Sequence, residues 1–124
     1  MARAWIAWAI GISVAGAALA EPAKQADPIT ANDPAFMSTY TQQYRDAFRE
    51  GAIPAKYKQL SGVTLSVVVK CAECIKSHVQ SAIKLGANRK EIVEALRIGL
   101  LTGGSAGLPT MQAAYEAMDQ ARLK

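Results

Sequence analysis

"GVTLSVVV", residues 62–69, is the one stretch of this 124-residue chain that alternates and branches like a β-strand. The sequence holds no second strand to pair with it. Tyr57, Leu60, Val63 and Val67 instead fall on one helical face, so the segment Ala55 to Lys70 reads as helix. The same spacing recurs on both sides. Asp33 can cap a helix whose first position suits Pro34, and Phe36, Tyr40, Tyr44, Ala47 and Phe48 then form an apolar stripe. Gly51 and Pro54 end that helix. A third helix takes Cys71 to Leu85 and stops at Gly86. A fourth opens at Asn88 with Glu91 three residues later, a capping-box arrangement, and turns Ile92, Ala95, Leu96, Gly99 and Leu100 inward. Thr102 to Pro109 reads as a turn. The last helix carries Met111, Ala114, Tyr115, Met118 and Arg122. The expected fold is all-α: a compact five-helix bundle over residues 33–124.

Two segments precede the bundle. Residues 1–20 have one charge, Arg3, then an apolar run ending in Ala18-Leu19-Ala20, the pattern of a secretory signal peptide. Cleavage after Ala20 would leave 124 − 20 = 104 residues and lower the formal charge from +4 to +3. A membrane span needs about 20 apolar residues, so an uncleaved anchor is the next reading and a helix of the fold the third. Residues 21–32, polar with two prolines, read as a flexible linker. An exported, periplasmic location is therefore expected, or attachment to the membrane by the N-terminal helix. The mild charge has no basic cluster with interleaved aromatics, which argues against nucleic acid as a partner.

"KCAECIKSHVQ", residues 70–80, holds both cysteines and the only histidine. Cys71, Cys74 and His78 are related by i, i+3 and i+7, so all three project to one side of a helix. The spacing suits thiol chemistry. A first-turn position favours a thiolate, and His78 can take the proton of Cys74 or stabilise its thiolate. If Cys74 attacks a peroxide it becomes a sulfenic acid, which Cys71 can resolve to an internal disulfide. Two other readings stand beside this one. Cys71, Cys74, Ile75, His78, Val79, Ala82 and Ile83 also make one apolar stripe, in which cysteine is a small hydrophobe. As a metal site the trio lacks a fourth ligand, and Glu73 points elsewhere on the helix.

The stretch Cys71 to Gly104 resembles the carboxymuconolactone decarboxylase family, in its alkyl hydroperoxide reductase D-like branch. The shared pattern is C-x-x-C-x-x-x-H, then Gly86-Ala87, Glu91-Ile92 and Ala95-Leu96; Ile53 to Lys70 is similar to the family's preceding helix. The resemblance implies an all-α trimer or hexamer with its active site near subunit contacts. It implies peroxidase activity, with Cys74 peroxidatic, Cys71 resolving and His78 the proton relay. It also implies a hydroperoxide substrate, a dithiol protein or lipoyl-type donor as reductant, and no cofactor or metal. The family usually has a glutamate where this chain has Gln59, which can orient an imidazole but not accept its proton. Where the best-studied branch has a histidine inside the motif, this chain has Glu73, a candidate substitute in the relay. Two alternatives to the peroxidase remain: a non-enzymatic exported oligomer with a structural or sensing disulfide, and the lactone chemistry of the family's name. The cysteine pair argues against the last. Oligomerisation is also expected from apolar residues on more than one face, Ile98 and Leu101 beside Leu96 and Leu100.

Overall fold

The computed structural model describes residues 27–124; the leader and residues 21–26 of the linker lie outside the described residues. Among the described residues the chain is helical, with no strand: α1 Pro28–Asn32, α2 Pro34–Phe48, α3 Ala55–Val68, α4 Ala72–Lys84, α5 Arg89–Gly103, a 3-10 turn Ser105–Gly107, and α6 Leu108–Gln120. The five expected helices are α2 to α6. None is long and apolar enough to cross a membrane.

The β-branched run is helical, as its face predicts. α3 lies between α4 and α5, and α6 closes on α4. Val63 and Val67 of α3, Ile75 and Val79 of α4, Ile92 and Leu96 of α5 and Met118 of α6 are fully buried together. The α3–α5 contact is close because Gly99 has no side chain. A Cβ there would stand 2.6 Å from the Thr64 carbonyl oxygen and 2.9 Å from the Val67 Cβ. The Thr64 hydroxyl donates to the Ala95 carbonyl at 3.0 Å across the same seam. The capping box forms: the Asn88 side chain accepts from the Glu91 N–H at 3.0 Å, and the Glu91 carboxylate accepts from the Asn88 N–H at 2.9 Å.

Three expectations need correction. The last five residues of the expected linker form α1, capped by the Asp27 carboxylate on the N–H groups of Ile29 and Thr30. Asp27-Pro28 repeats the cap-and-proline signal of Asp33-Pro34. The expected turn 102–109 is shorter, because Thr102 and Gly103 extend α5 and Pro109 sits in the first turn of α6. Ala114 and Met118 of the expected stripe are fully buried and Met111 and Tyr115 pack against the core, joined by Thr110, Ala113 and Ala117, while Arg122 lies beyond the helix end in the left-handed region. Finally, α2 buries no residue. Phe36 and Tyr40 stand half exposed, and only the far end of the stripe, Tyr44 and Phe48, reaches the bundle. There Lys58 donates to the carbonyls of Ala47 and Arg49, at 3.0 and 2.9 Å, and holds the end of α2 on α3.

The α3–α4 link is a Schellman motif. The Cys71 N–H donates to the Ser66 carbonyl and the Lys70 N–H to the Val67 carbonyl, with Lys70 left-handed at φ 60°. A side chain in that conformation costs about 1 kcal/mol. Lys70→Gly should therefore raise stability by about 0.5–1 kcal/mol in urea unfolding, close to that conformational cost. Gly99→Ala should lower stability by about 1–2 kcal/mol, since the overlap outweighs the better helix propensity. Equal or greater stability of Gly99→Ala would contradict the seam as described.

Candidate functional site

The Schellman turn delivers Cys71 directly to α4, where it is the N-cap residue. Its Sγ accepts from the Cys74 N–H at 3.2 Å. Cys74 is the third residue of the helix, and the two sulfurs are joined as a disulfide with Cα atoms 5.2 Å apart. One helix register thus gives the two sulfurs different surroundings. Cys71 is half-buried at the helix N-terminus, and Cys74 is exposed. This corrects the core-stripe reading: Ile75, Val79 and Ala82 are buried, but neither cysteine is.

His78 lies one turn beyond Cys74 and is half-buried. Its Nδ1 is 2.8 Å from the Oε1 of Gln59, on the facing surface of α3. With the carboxamide oxygen on this side, which only accepts, the matching tautomer has Nδ1 donating and Nε2 keeping the lone pair. Gln59 is only 7% exposed, which shelters this bond from water. Burial holds the His78 pKa below its usual value near 6.5. The uncharged amide does nothing to reverse that, so the imidazole is neutral at pH 7.

The ring is also enclosed by residues that sequence reasoning did not select. A Cβ on Gly62, one turn after Gln59, would overlap the imidazole at Nδ1, Cε1 and Cγ. The Phe48 ring lies 5.1 Å from the imidazole and the Tyr44 ring 6.3 Å. A glycine inside a β-branched helix was a legible signal for close approach. Phe48 and Tyr44 carried none, because their stripe looked like ordinary core.

Cys74 and His78 share an open cleft of about 300 Å³ with Ser77 of α4 and Tyr40, Thr41 and Tyr44 of α2. Three larger grooves, of about 450 Å³ beside Arg89, Lys90 and Arg97, about 410 Å³ between α3 and α5 and about 380 Å³ beside Pro34, Met37 and Arg45, contain neither cysteine nor histidine. Chemistry rather than size therefore marks the smaller cleft as the site. The structure brings Cys71, Cys74, His78 and Gln59 together. Glu73 does not line the cleft; its carboxylate is 86% exposed and accepts from Lys76 at 2.9 Å.

Comparison with known proteins agrees with this architecture. The carboxymuconolactone decarboxylase family pattern matches residues 34–120. An uncharacterised protein of Cupriavidus necator is 34% identical over 74 residues, 60% of this chain and 66% of that protein. An uncharacterised protein of the cox locus of Paracoccus denitrificans is 29% identical over 111 residues, 90% of this chain and 94% of that one. The chain thus spans just under two thirds of the first relative and nearly all of the second. Among solved structures, a carboxymuconolactone decarboxylase family protein of Legionella pneumophila superposes with a TM-score of 0.69 at 30% identity, over 74% of this chain and 82% of that one. A Thermotoga maritima family member, for which involvement in antioxidative response has been suggested, gives 0.71 at 29% identity, over 76% and 80%. With all of α2 to α6 inside the matched region, this chain belongs to the carboxymuconolactone decarboxylase family.

Proposed function

We propose that the protein is a thiol-dependent peroxidase, a thiol–disulfide oxidoreductase in which Cys71 and Cys74 cycle between dithiol and disulfide. The observation that carries this reading is the arrangement at the head of α4. An exposed Cys74 shares a cleft with a neutral histidine, and Cys71 is already bonded to it.

The cycle balances as follows. In the reduced protein Nε2 of His78 takes the Cys74 proton, and the thiolate attacks the terminal oxygen of a hydroperoxide. The O–O bond breaks, Cys74 becomes a sulfenic acid, and the leaving alkoxide takes the proton back from the imidazolium as an alcohol. Cys71, whose sulfur accepts the Cys74 N–H at the N-terminus of α4, is held in the place that favours its thiolate. It attacks the sulfenic sulfur, water leaves after protonation of the hydroxide, and the disulfide forms. A dithiol reductant restores both thiols by exchange. Residues 1–20 place this chemistry outside the cytoplasm if they act as a leader. A second copy of the chain would cover the exposed Ile98 and Leu101.

One equivalent of an alkyl hydroperoxide should remove both titratable thiols from the reduced protein. Cys74→Ser should slow peroxide consumption at least 100-fold, and Cys71→Ser should leave a sulfenic acid that dimedone traps. Two thiols surviving peroxide in a folded protein would sink the reading and leave the disulfide a structural element.

The His78 proton gives a separate prediction. In the oxidised protein its NMR titration midpoint should lie below 6.5, and Gln59→Glu should raise it by placing a carboxylate on Nδ1. Between the folded and unfolded pKa values the unfolded chain binds the proton and the fold does not. Stability is therefore full above about pH 6.5 and declines as pH falls below it, levelling off beneath the folded value. A midpoint at or above 6.5 in the unaltered protein would contradict the neutral imidazole.

A further inference from the structure

Gly62 is in the interior of α3, where glycine costs about 1 kcal/mol relative to alanine. Its φ lies outside the left-handed region, so no special backbone conformation calls for it. What lies over it is the His78 ring, close enough that a methyl group would overlap three of its atoms. Phe48, brought in by the Lys58 clasp on the end of α2, approaches the same ring. Gln59 holds the Nδ1 edge.

We propose that Gly62 and Phe48 are positioning residues for His78: the bare backbone of α3 and the phenyl ring of α2 form a slot that fixes the imidazole with Nδ1–H on Gln59 and leaves Nε2 as its base. The inference rests on the reading of His78 as the proton acceptor of Cys74. Outside the slot, a flip of the ring about Cβ–Cγ would put Cδ2 where Nδ1 now faces the amide, breaking the hydrogen bond that fixes the tautomer. The same imidazole could then present an N–H, rather than a lone pair, to the thiol. The slot removes that choice by shape, without a charged partner.

The first test uses the intact oxidised protein. Long-range proton–nitrogen correlation of the imidazole at pH 7 should show the Nδ1–H tautomer, and a predominant Nε2–H form overturns the proposal. The second reads the pH profile of Cys74 alkylation by iodoacetamide, with Cys71→Ser present throughout so that one thiol is seen. Gly62→Ala should slow alkylation at pH 7 about tenfold, as His78→Ala does, and Phe48→Ala should shift the profile the same way. With His78→Ala already present, Gly62→Ala should change the rate less than twofold. A Gly62→Ala rate within twofold of the parent overturns the slot, as does equal slowing with and without His78. If Gly62→Ala does not fold, recovery of the fold on adding His78→Ala supports the slot, and failure of the double variant overturns it. Alkylation needs no peroxide, so the two ideas fail separately. Loss of peroxide turnover with this pattern intact would sink the peroxidase and leave the slot. If His78→Ala itself leaves alkylation unchanged, the base reading fails and the tautomer alone decides the slot.

Discussion

The site depends on how closely α3 can approach its two neighbours. Toward α5 the approach is made by Gly99, whose missing side chain admits the Thr64 carbonyl and Val67. Toward α4 it is made by Gly62, whose missing side chain admits an imidazole. Each glycine weakens its own helix by about 1 kcal/mol. Each also lets a row of larger side chains meet, and burying one Val, Ile or Leu contributes about 1.5–3 kcal/mol. Val63 and Val67 meet Ile75, Val79, Ile92 and Leu96 in this way, so the balance favours the close approach. Gln59 and His78 sit at the edge of the same contact. Their hydrogen bond is therefore placed by core packing and not by a mobile loop, and a change in core spacing would be felt at the imidazole.

The helical architecture was legible because most of its signals are local. Asn88 and Glu91 cap a helix through atoms three residues apart, and Ile92, Ala95, Leu96 and Gly99 repeat at a spacing the α5 core face reproduces. The dithiol was legible for the same reason, since Cys71, Cys74 and His78 share one short helix. Three things were not. The stripe Phe36, Tyr40, Tyr44 has the period of a core face, but a period does not say whether a neighbour exists to cover it; α2 meets the bundle only at its end. The start of α6 depended on whether Leu108 and Pro109 finish a turn or begin a helix, which the chain reversal at Gly104 decides. Gly62 signalled a close approach, but what approaches it was hidden, because His78 is sixteen residues away across a contact that no local pattern encodes.

The two sulfurs are served by different physics. Cys71 caps α4, where the Cys74 N–H and the aligned peptide dipoles favour negative charge on sulfur. That effect belongs to the helix and changes little with pH. Cys74 lies within the helix and is exposed, and a histidine one turn away shares its cleft. In the proposed cycle its activation passes through a proton. The division suits a reaction in two attacks, because the attack on peroxide needs a proton moved from thiol to leaving oxygen. The attack of Cys71 on the sulfenic sulfur needs a second sulfur already poised as thiolate.

The amide at position 59 then bears on the return of the proton. A carboxylate on Nδ1 would raise the basicity of the imidazole, helping it take the Cys74 proton but hindering its release to the alkoxide. Gln59 supports the ring with a hydrogen bond and adds no charge, while burial keeps the resting imidazole neutral. The base is accordingly weaker at the first step and a better acid at the second. Since an alkoxide is far more basic than a thiolate, the second transfer is downhill in either case, and in the proposed cycle the first is the one that Gln59 would slow. What burial and the uncharged amide give the disulfide form is a neutral ring, so that the proposed cycle would start with no proton to remove from the imidazole.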